Sequence, residues 1–330
     1  MTKEYGGYLP IEFAQGTPYY KGEHIVALNS GRYAIAYALK HLKWNLVYLP
    51  FYLCSTVEET IKKELPWLQI RYYHIAKNFL PEDLILKENE GILLVNYFGM
   101  LPDSTIYSIL QQYHFRVLVD NTQSFFSKPI DKVCQVYSCR KFFGVADGAY
   151  VIGGNILQHP VPASTSSLYA LHLLLSYEHG TDYSYHLNKE NEEHLGICGI
   201  QAMSRLTSSM LNVVDYNHVQ EIRLKNIKTL HKILSSVNEI TLPELRPALY
   251  YPFLFRSKVL REKLIQRKIY IPQLWKEVEL NSDASLWERT LSRYLCPLPI
   301  DQRYSTDDME TIGKQILQFI KNQKSERFYL

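Results

Sequence analysis

Lys141 is the residue whose surroundings in the sequence point most directly to chemistry. It lies in the strand-like run VYSCRKFFGVADGAYV at residues 136–151, and an earlier run, VLVDNTQSFF, places Asp120 at a strand end with Gln123 just beyond it. A lysine amine, a carboxylate and an anion-binding helix start are the groups that pyridoxal phosphate requires for its aldehyde, its ring nitrogen and its phosphate. The order of these residues predicts a site for that cofactor.

The segment LNSGRYAIAYAL supplies the helix start. Ser30 and Gly31 lead directly into a helical pattern, whose first backbone N–H groups have no partner within the helix and whose dipole favours an anion. Taken alone, such a start is more often a simple helix cap. It indicates a phosphate site only in combination with the other residues.

Asp120 and Ser138 each stand at the end of a predicted strand. An ionised carboxylate at residue 120 could keep a pyridinium nitrogen protonated, although an aspartate that caps a turn is the ordinary alternative. Ser138, three residues before Lys141, could hold the phosphate. An amine near positive charge and apolar groups loses its proton more easily, whereas a lone lysine is usually a solvated surface residue.

Two more strand ends carry candidate side chains. Tyr52 follows the strand-like segment that ends at Pro50, and its aromatic face could cover a flat ring. Asn96 leaves the strand-like run GILLVNYFG and could hydrogen-bond a ring hydroxyl. Because the chain contains 26 tyrosines, a core or surface role is the default for any one of them.

Short apolar runs that alternate with helical patterns must position these residues. Strands are predicted at 25–28, 45–50, 69–75, 91–99, 115–120, 132–138 and 148–154, and helices at 31–42, 55–65 and 102–114. This alternation indicates an α/β fold with a mostly parallel seven-stranded sheet and helices on both faces, in a large domain spanning residues 1–200. In such sheets ligands bind beyond the carboxyl ends of the strands.

Helical patterns dominate the sequence after about residue 160. Residues 203–237 predict one long helix or two in series, and they are followed by a strand at 248–255, a helix at 256–268, a strand at 269–275 and a capped final helix at 305–323. These elements indicate a smaller C-terminal α+β domain at residues 201–330.

Composition excludes several functional classes. Thirty-six Lys and Arg against 33 Asp and Glu give no electrostatic case for nucleic acid as the main partner. Five cysteines without a CxxC pair favour free thiols in a reducing compartment over disulfides or zinc. The sequence has no signal-peptide pattern and no apolar run of about 18 residues. We therefore expect a cytoplasmic protein without a membrane span or a metal site.

The sequence also resembles a known family, from LNSGRYAIAYAL through VDNTQSFF and SCRKFFGVADGAY to the C-terminal IYIPQLW and LPIDQRY. It is similar to the DegT/DnrJ/EryC1 group of fold type I pyridoxal-phosphate enzymes, the nucleotide-sugar aminotransferases. The resemblance implies that Lys141 is the Schiff-base lysine and that Asp120 pairs with the pyridinium nitrogen. The cofactor-binding residues it implies are Ser30, Gly31, Arg32, Tyr52, Asn96, Asp120, Gln123, Ser138 and Lys141.

The resemblance further implies a transamination reaction. Glutamate would donate the amino group to a nucleotide-linked ketosugar, in the biosynthesis of lipopolysaccharide, another surface polysaccharide or an amino sugar. The family works as homodimers with active sites at the subunit interface, so a homodimer is expected.

Departures from the family pattern place the chain in an outlying branch. Val136 occupies the position at which many members carry the phosphate-binding serine, and the residues at 146–149 are Ala-Asp-Gly-Ala where a Glu-Gly-Gly core is usual. A stretch with Asn and Arg that the partner subunit contributes is only loosely matched by residues 199–204. Relatives often carry the stacking aromatic at the position of Cys54.

Two other functions stay open. The fold could persist in a binding or scaffold protein that has lost turnover. Alternatively, residues 138–141 form a Ser-x-x-Lys motif in which Ser138 would be the nucleophile of an acyl enzyme, but the sequence has no Lys-Thr-Gly element and its strand pattern is that of a parallel sheet.

Overall fold

Seven strands form one sheet at the centre of the structure, a computed structural model that describes residues 5–154, 156 and 159–327. The sheet has the strand order β1-β7-β6-β5-β4-β2-β3. The strands are β1 (Ile25–Leu28), β2 (Leu46–Pro50), β3 (Gln69–Tyr73), β4 (Glu90–Val95), β5 (Val117–Asp120), β6 (Gln135–Ser138) and β7 (Ala149–Ile152). The predicted seven-stranded sheet is confirmed.

All strands except β7 run in the same direction. The pairs β2–β3, β2–β4, β4–β5 and β5–β6 are parallel, and β7 is antiparallel to both β6 and β1. Every residue of β2, β4, β5 and β6 is buried, as expected for strands covered on both faces. The carboxyl ends of β1, β2, β4, β5 and β6 therefore meet at one edge of the sheet.

Three helices connect these strands. They are α1 (Gly31–Leu42), α2 (Ser55–Glu64) and α3 (Asp103–Gln112), close to the predicted bounds. The helix α1 packs against β5, β6 and β7 and buries a continuous run from Tyr33 to Leu39. This packing brings the first turn of α1 to the place where β5 and β6 end.

The second half of the chain is mainly helical. Its helices are α4 (Leu171–His179), α5 (Tyr185–Ile197), α6 (Arg205–Asn212), α7 (Tyr216–Leu234), α8 (Leu260–Gln266), α9 (Lys276–Leu280), α10 (Leu286–Tyr294) and α11 (Thr306–Arg327). Two antiparallel strands, β8 (Tyr250–Leu254) and β9 (Leu295–Pro299), form a separate small sheet. The predicted helical stretch at 203–237 is thus two helices, and the final helix is confirmed. The division predicted at residue 200 falls between α5 and α6 and stays a prediction.

The strand predicted at 269–275 is wrong. The segment has no regular secondary structure, and the strand that pairs with β8 is Leu295–Pro299 instead. The backbone adopts left-handed conformations at Lys268 (φ 61°) and Trp275 (φ 51°), which turn the chain at both ends of the segment. Pro272 between them offers no N–H for a ladder hydrogen bond. In the described part of the chain, every helix is too short or too polar to cross a bilayer.

Candidate active site

Lys141 extends from the turn after β6 toward the end of β5. Its Nζ donates a hydrogen bond to Thr122 Oγ1 at 3.0 Å. Asp120, the last residue of β5, is buried, and its Oδ1 accepts from the Thr122 backbone N–H at 2.8 Å. The parallel sheet therefore brings the predicted amine and carboxylate to the same edge, with Thr122 between them.

The surroundings of Lys141 favour the neutral amine. The residue is exposed on the side that faces a cleft, yet protein atoms crowd the space around its amine. This burial lowers the pKa of Lys141, and the charge of Arg140 lowers it too, while Asp120, Cys54 and Glu192 oppose the shift. A lysine whose pKa is lowered holds more of the unprotonated, nucleophilic form near neutral pH.

The first turn of α1 forms a small cradle beside this amine. Ser30 precedes the helix in extended conformation (φ −155°), and its buried Oγ has no hydrogen-bond partner among the described residues. A Cβ on Gly31 would lie 3.1 Å from Thr122 Cγ2 and 3.7 Å from Ser138 Cβ. An unpartnered hydroxyl, a helix start and a glycine that keeps this space open fit a phosphate group.

An ion-pair network that the sequence did not predict borders the cradle. Glu192 of α5 lies 3.7 Å from Arg32 Nη2 through Oε2, and its Oε1 accepts a hydrogen bond from Arg140. Burial alone would raise the pKa of Glu192, but the two guanidinium groups hold it below its ordinary value. Arg32 thus faces α5, and the network keeps a net positive charge beside the lysine.

Gln123 and Asn96 support the strand ends from inside the protein. Gln123 Oε1 accepts from the Phe98 N–H at 2.9 Å. Asn96 donates to Asn121 Oδ1 at 2.9 Å, and its own Oδ1 accepts from the Leu101 N–H at 3.2 Å. Both side chains are buried. Their direct contact with a cofactor stays a prediction that this bonding does not favour.

Tyr52 is fully buried in an aromatic cluster. Its ring centroid lies 4.3 Å from that of Trp275 and 5.7 Å from that of Tyr97, and burial raises the pKa of its hydroxyl. The half-exposed Cys54, at the start of α2, is one of the groups that raise the pKa of Lys141. The stacking role of Tyr52 therefore stays a prediction, and its packing does not favour it.

The unusual Ala-Asp-Gly-Ala stretch has a structural explanation. The buried Asp147 carboxylate accepts hydrogen bonds from the Ser204 N–H (2.9 Å) and Oγ (2.8 Å) and from the Thr207 hydroxyl. These contacts fasten the start of α6 to the turn that precedes β7. Gly148 follows with φ 121°, a conformation that other residues rarely adopt.

The lysine opens onto a cleft of about 750 Å³ between the sheet edge and the second half of the chain. Tyr250, Tyr270 and Tyr304 contribute aromatic walls, and Arg267 and Lys268 contribute positive charge. Ser138 is buried near the cradle, and Lys141 donates to Thr122. This geometry gives no support to an acyl enzyme that needs a Ser138–Lys141 pair.

The sequence matches no protein-family model and no curated protein. Solved structures do share its architecture. A DegT/DnrJ/EryC1/StrS aminotransferase from Brucella abortus superposes with a TM-score of 0.59 at 13% identity, covering 90% of this chain and 86% of the other. The chain has the fold of these aminotransferases.

Two further structures with this fold were solved with small molecules bound. NtdA from Bacillus subtilis, with bound cofactor PMP, gives a TM-score of 0.56 at 14% identity and coverages of 88% and 72%. DesI in the presence of its TDP-sugar product gives 0.58 at 11% identity and coverages of 89% and 79%. At these identities the likeness establishes the fold, so the predicted fold class and the resemblance are confirmed at that level.

Proposed function

We propose that this protein is a pyridoxal-phosphate-dependent aminotransferase that acts on a nucleotide-linked ketosugar. The observation that carries the proposal is the position of the Lys141 amine, 3.0 Å from Thr122 and close to the buried Asp120 carboxylate, at the edge where the parallel strands end. Ser30 at the start of α1, whose hydroxyl has no hydrogen-bond partner among the described residues, would provide a separate anion site on the same edge.

The residues present fit each part of the cofactor. Ser30, the first N–H groups of α1 and Ser138 would hold the phosphate, since they surround the space that Gly31 keeps open. Asp120 would hold the protonated ring nitrogen through its carboxylate. Lys141 would attach the cofactor through Nζ.

Pyridoxal phosphate, when bound, supplies a carbon that accepts amines and a ring that withdraws electrons from the adjacent carbon. Once an amino donor has taken its place on the cofactor, the neutral Lys141 amine would take the proton from the donor carbon at Nζ and pass it to the cofactor. Burial, which lowers the pKa of this amine, favours the neutral form required for that step.

The cleft supports a sugar nucleotide as the amino acceptor. Arg267 and Lys268 are exposed at its wall and suit the diphosphate, and the tyrosines Tyr250, Tyr270 and Tyr304 offer flat apolar faces with hydroxyl groups for a sugar and a base. The TDP-sugar product of DesI, which shares the fold, agrees with this assignment. Glutamate is the proposed donor, and the amino sugar would serve lipopolysaccharide or another surface polysaccharide.

A cytoplasmic homodimer is the proposed working form. Leu171, Leu174 and Tyr177 present exposed apolar surface on α4, and Tyr177 is 94% exposed. Exposed apolar side chains grouped on one helix are typical of a surface that a second subunit covers.

Reconstitution with pyridoxal phosphate, borohydride reduction and peptide mass mapping tests the assignment. We expect the reduced cofactor on Lys141. In a separate sample that has not been reduced, addition of glutamate should convert the cofactor to the pyridoxamine form. A label on a different lysine, or none, would overturn the proposal.

The variant Asp120→Asn separates binding from turnover. It should still carry the label on Lys141, but its half-reaction with glutamate should slow by roughly 100-fold, the scale of a lost preorganised electrostatic contact. Asp147→Asn is the matched control, because that aspartate is equally buried but bonds to α6. If both variants slow the half-reaction equally, Asp120 has no special role.

A further inference from the structure

Arg223 is a buried cation without an ion pair among the described residues. It lies on α7, is 2% exposed, and burial lowers its pKa to about 10. Its Nε donates to Gln302 Oε1 at 3.0 Å, Nη1 to the Ala248 carbonyl at 2.9 Å, and Nη2 to the Phe142 carbonyl at 3.3 Å. The guanidinium thus joins α7, the segment before β8, the loop before α11 and the lysine-bearing turn.

Such an arrangement is costly, because burial penalises the charge of the guanidinium, and the nearby Asp301 carboxylate, which does not pair with it directly, offsets this penalty only in part. Only arginine provides five donors in one rigid fork, which is the geometry needed to reach three separate segments at once. The cost indicates that the protein needs α7, the segment before β8, the loop before α11 and the lysine-bearing turn in fixed relative positions.

Phe142 contacts the Arg223 guanidinium through both its carbonyl and its ring. Its carbonyl accepts a second hydrogen bond from Gln302 Nε2 at 2.9 Å, and its ring lies under the Arg223 guanidinium, 4.7 Å from the centroid. Its own N–H donates to the Cys139 carbonyl at 2.9 Å. Phe142 directly follows Lys141, so its position fixes where the lysine leaves the backbone.

We propose that Arg223 and Gln302 are positioning residues for Lys141, which hold the Phe142 carbonyl so that the lysine amine stays at the end of β5. The inference rests on the proposed function, in which Lys141 attaches the cofactor. It adds that the loop before α11, through Gln302, controls the placement of the reactive amine, although neither positioning residue touches that amine.

Asn226 offers a matched control on the same helix. It is 1% exposed, and its Nδ2 donates to the carbonyls of Ile300 and Asp301 at 3.3 Å and of Tyr304 at 2.9 Å. It therefore ties α7 to the loop that contains Gln302, without contacting Phe142. A loss of stability alone should affect the Asn226 and Arg223 variants alike.

The test is the reactivity of Lys141 in the full chain without cofactor. Acetic anhydride labelling over a range of pH, read by mass spectrometry against the exposed Lys258 in the same sample, gives the apparent pKa of Lys141. In Arg223→Lys and Gln302→Leu the turn should move toward solvent, so that this pKa rises. At pH values well below this pKa, the labelling rate should then fall roughly tenfold for each unit of the rise.

Asn226→Ala should shift the labelling profile of Lys141 much less than Arg223→Lys does, because it loosens the loop but keeps both hydrogen bonds to the Phe142 carbonyl. The proposal is overturned if Asn226→Ala shifts the profile as far as Arg223→Lys does, or if neither Arg223→Lys nor Gln302→Leu shifts it. Because labelling needs no cofactor, this outcome is independent of whether pyridoxal phosphate attaches to Lys141 in the wild-type protein, so the two proposals can fail separately.

Discussion

Replacing Gly31 by alanine should weaken the binding of a phosphate group while leaving the fold intact. The added methyl group would lie 3.1 Å from Thr122 Cγ2, a tight contact, and 3.7 Å from Ser138 Cβ, an ordinary one. It would therefore enter the space between these two side chains at the start of α1.

The expected energies differ for folding and for binding. Alanine gains up to about 1 kcal/mol of helix propensity over glycine, which offsets the single tight contact, so the melting temperature should change little. A phosphate pushed away from the helix start loses a charge-assisted hydrogen bond of about 1.5 to 3 kcal/mol. That loss corresponds to roughly 10- to 150-fold weaker affinity.

Titration with pyridoxal phosphate and with pyridoxal, which lacks the phosphate, measures this difference. Gly31→Ala should weaken only the phosphorylated compound. Gly196→Ala is the control, since its Cβ would lie 3.7 Å from the flexible end of Arg32 and outside the cradle. Equal loss of both compounds, or no loss of either, would refute the cradle as the phosphate site.

Two further predictions concern stability. The buried Glu288 accepts hydrogen bonds from the backbone N–H groups of Ile75 (2.9 Å) and Ser285 (2.7 Å). In urea unfolding, Glu288→Ala should therefore lower the free energy of unfolding by about 3 to 5 kcal/mol, and Ser285→Ala by about 1 kcal/mol. Similar losses in the two variants would contradict this account. Burial alone would raise the pKa of Glu192, but the nearby Arg140 and Arg32 lower it below 4.5. The Glu192 carboxylate therefore stabilises the fold above that pH. The stability difference between wild type and Glu192→Gln should therefore vanish as the pH falls through the lowered pKa, and a difference that persists in acid would exclude this origin.

The convergence of Lys141 and Asp120 could be predicted from sequence, because it depends only on strand direction. Alternating strands and helices imply parallel strands, and parallel strands end at one edge. Thr122 was missed, although its place two residues after Asp120, in a turn that the aspartate caps, is a usable signal. Glu192 gives no such signal, since it is one of several acids in α5, 52 residues from Arg140.

The contacts that hold the lysine turn were also beyond sequence reasoning. Arg223 and Phe142 are 81 residues apart, and their contact depends on how α7 packs against the first half of the chain. A partial signal exists in the helix itself, where Arg223 and Asn226 fall on the buried face with Val219, Ile227 and Leu230. Polar residues at core spacing indicate buried hydrogen bonds, but they do not identify the partners.

The contact between Gln302 and the Phe142 carbonyl also has a consequence for biosynthesis. The two residues are 160 positions apart, so a ribosome that adds 5 to 20 residues per second needs roughly 8 to 30 s to make the second after the first. Throughout that interval the lysine turn lacks this hydrogen bond, while the β6–β7 pairing at Ser138 and Ala149 and the segments made before Gln302 provide its other contacts. The last of these hydrogen bonds to the lysine turn can thus form only late in translation, after most of the chain has been made.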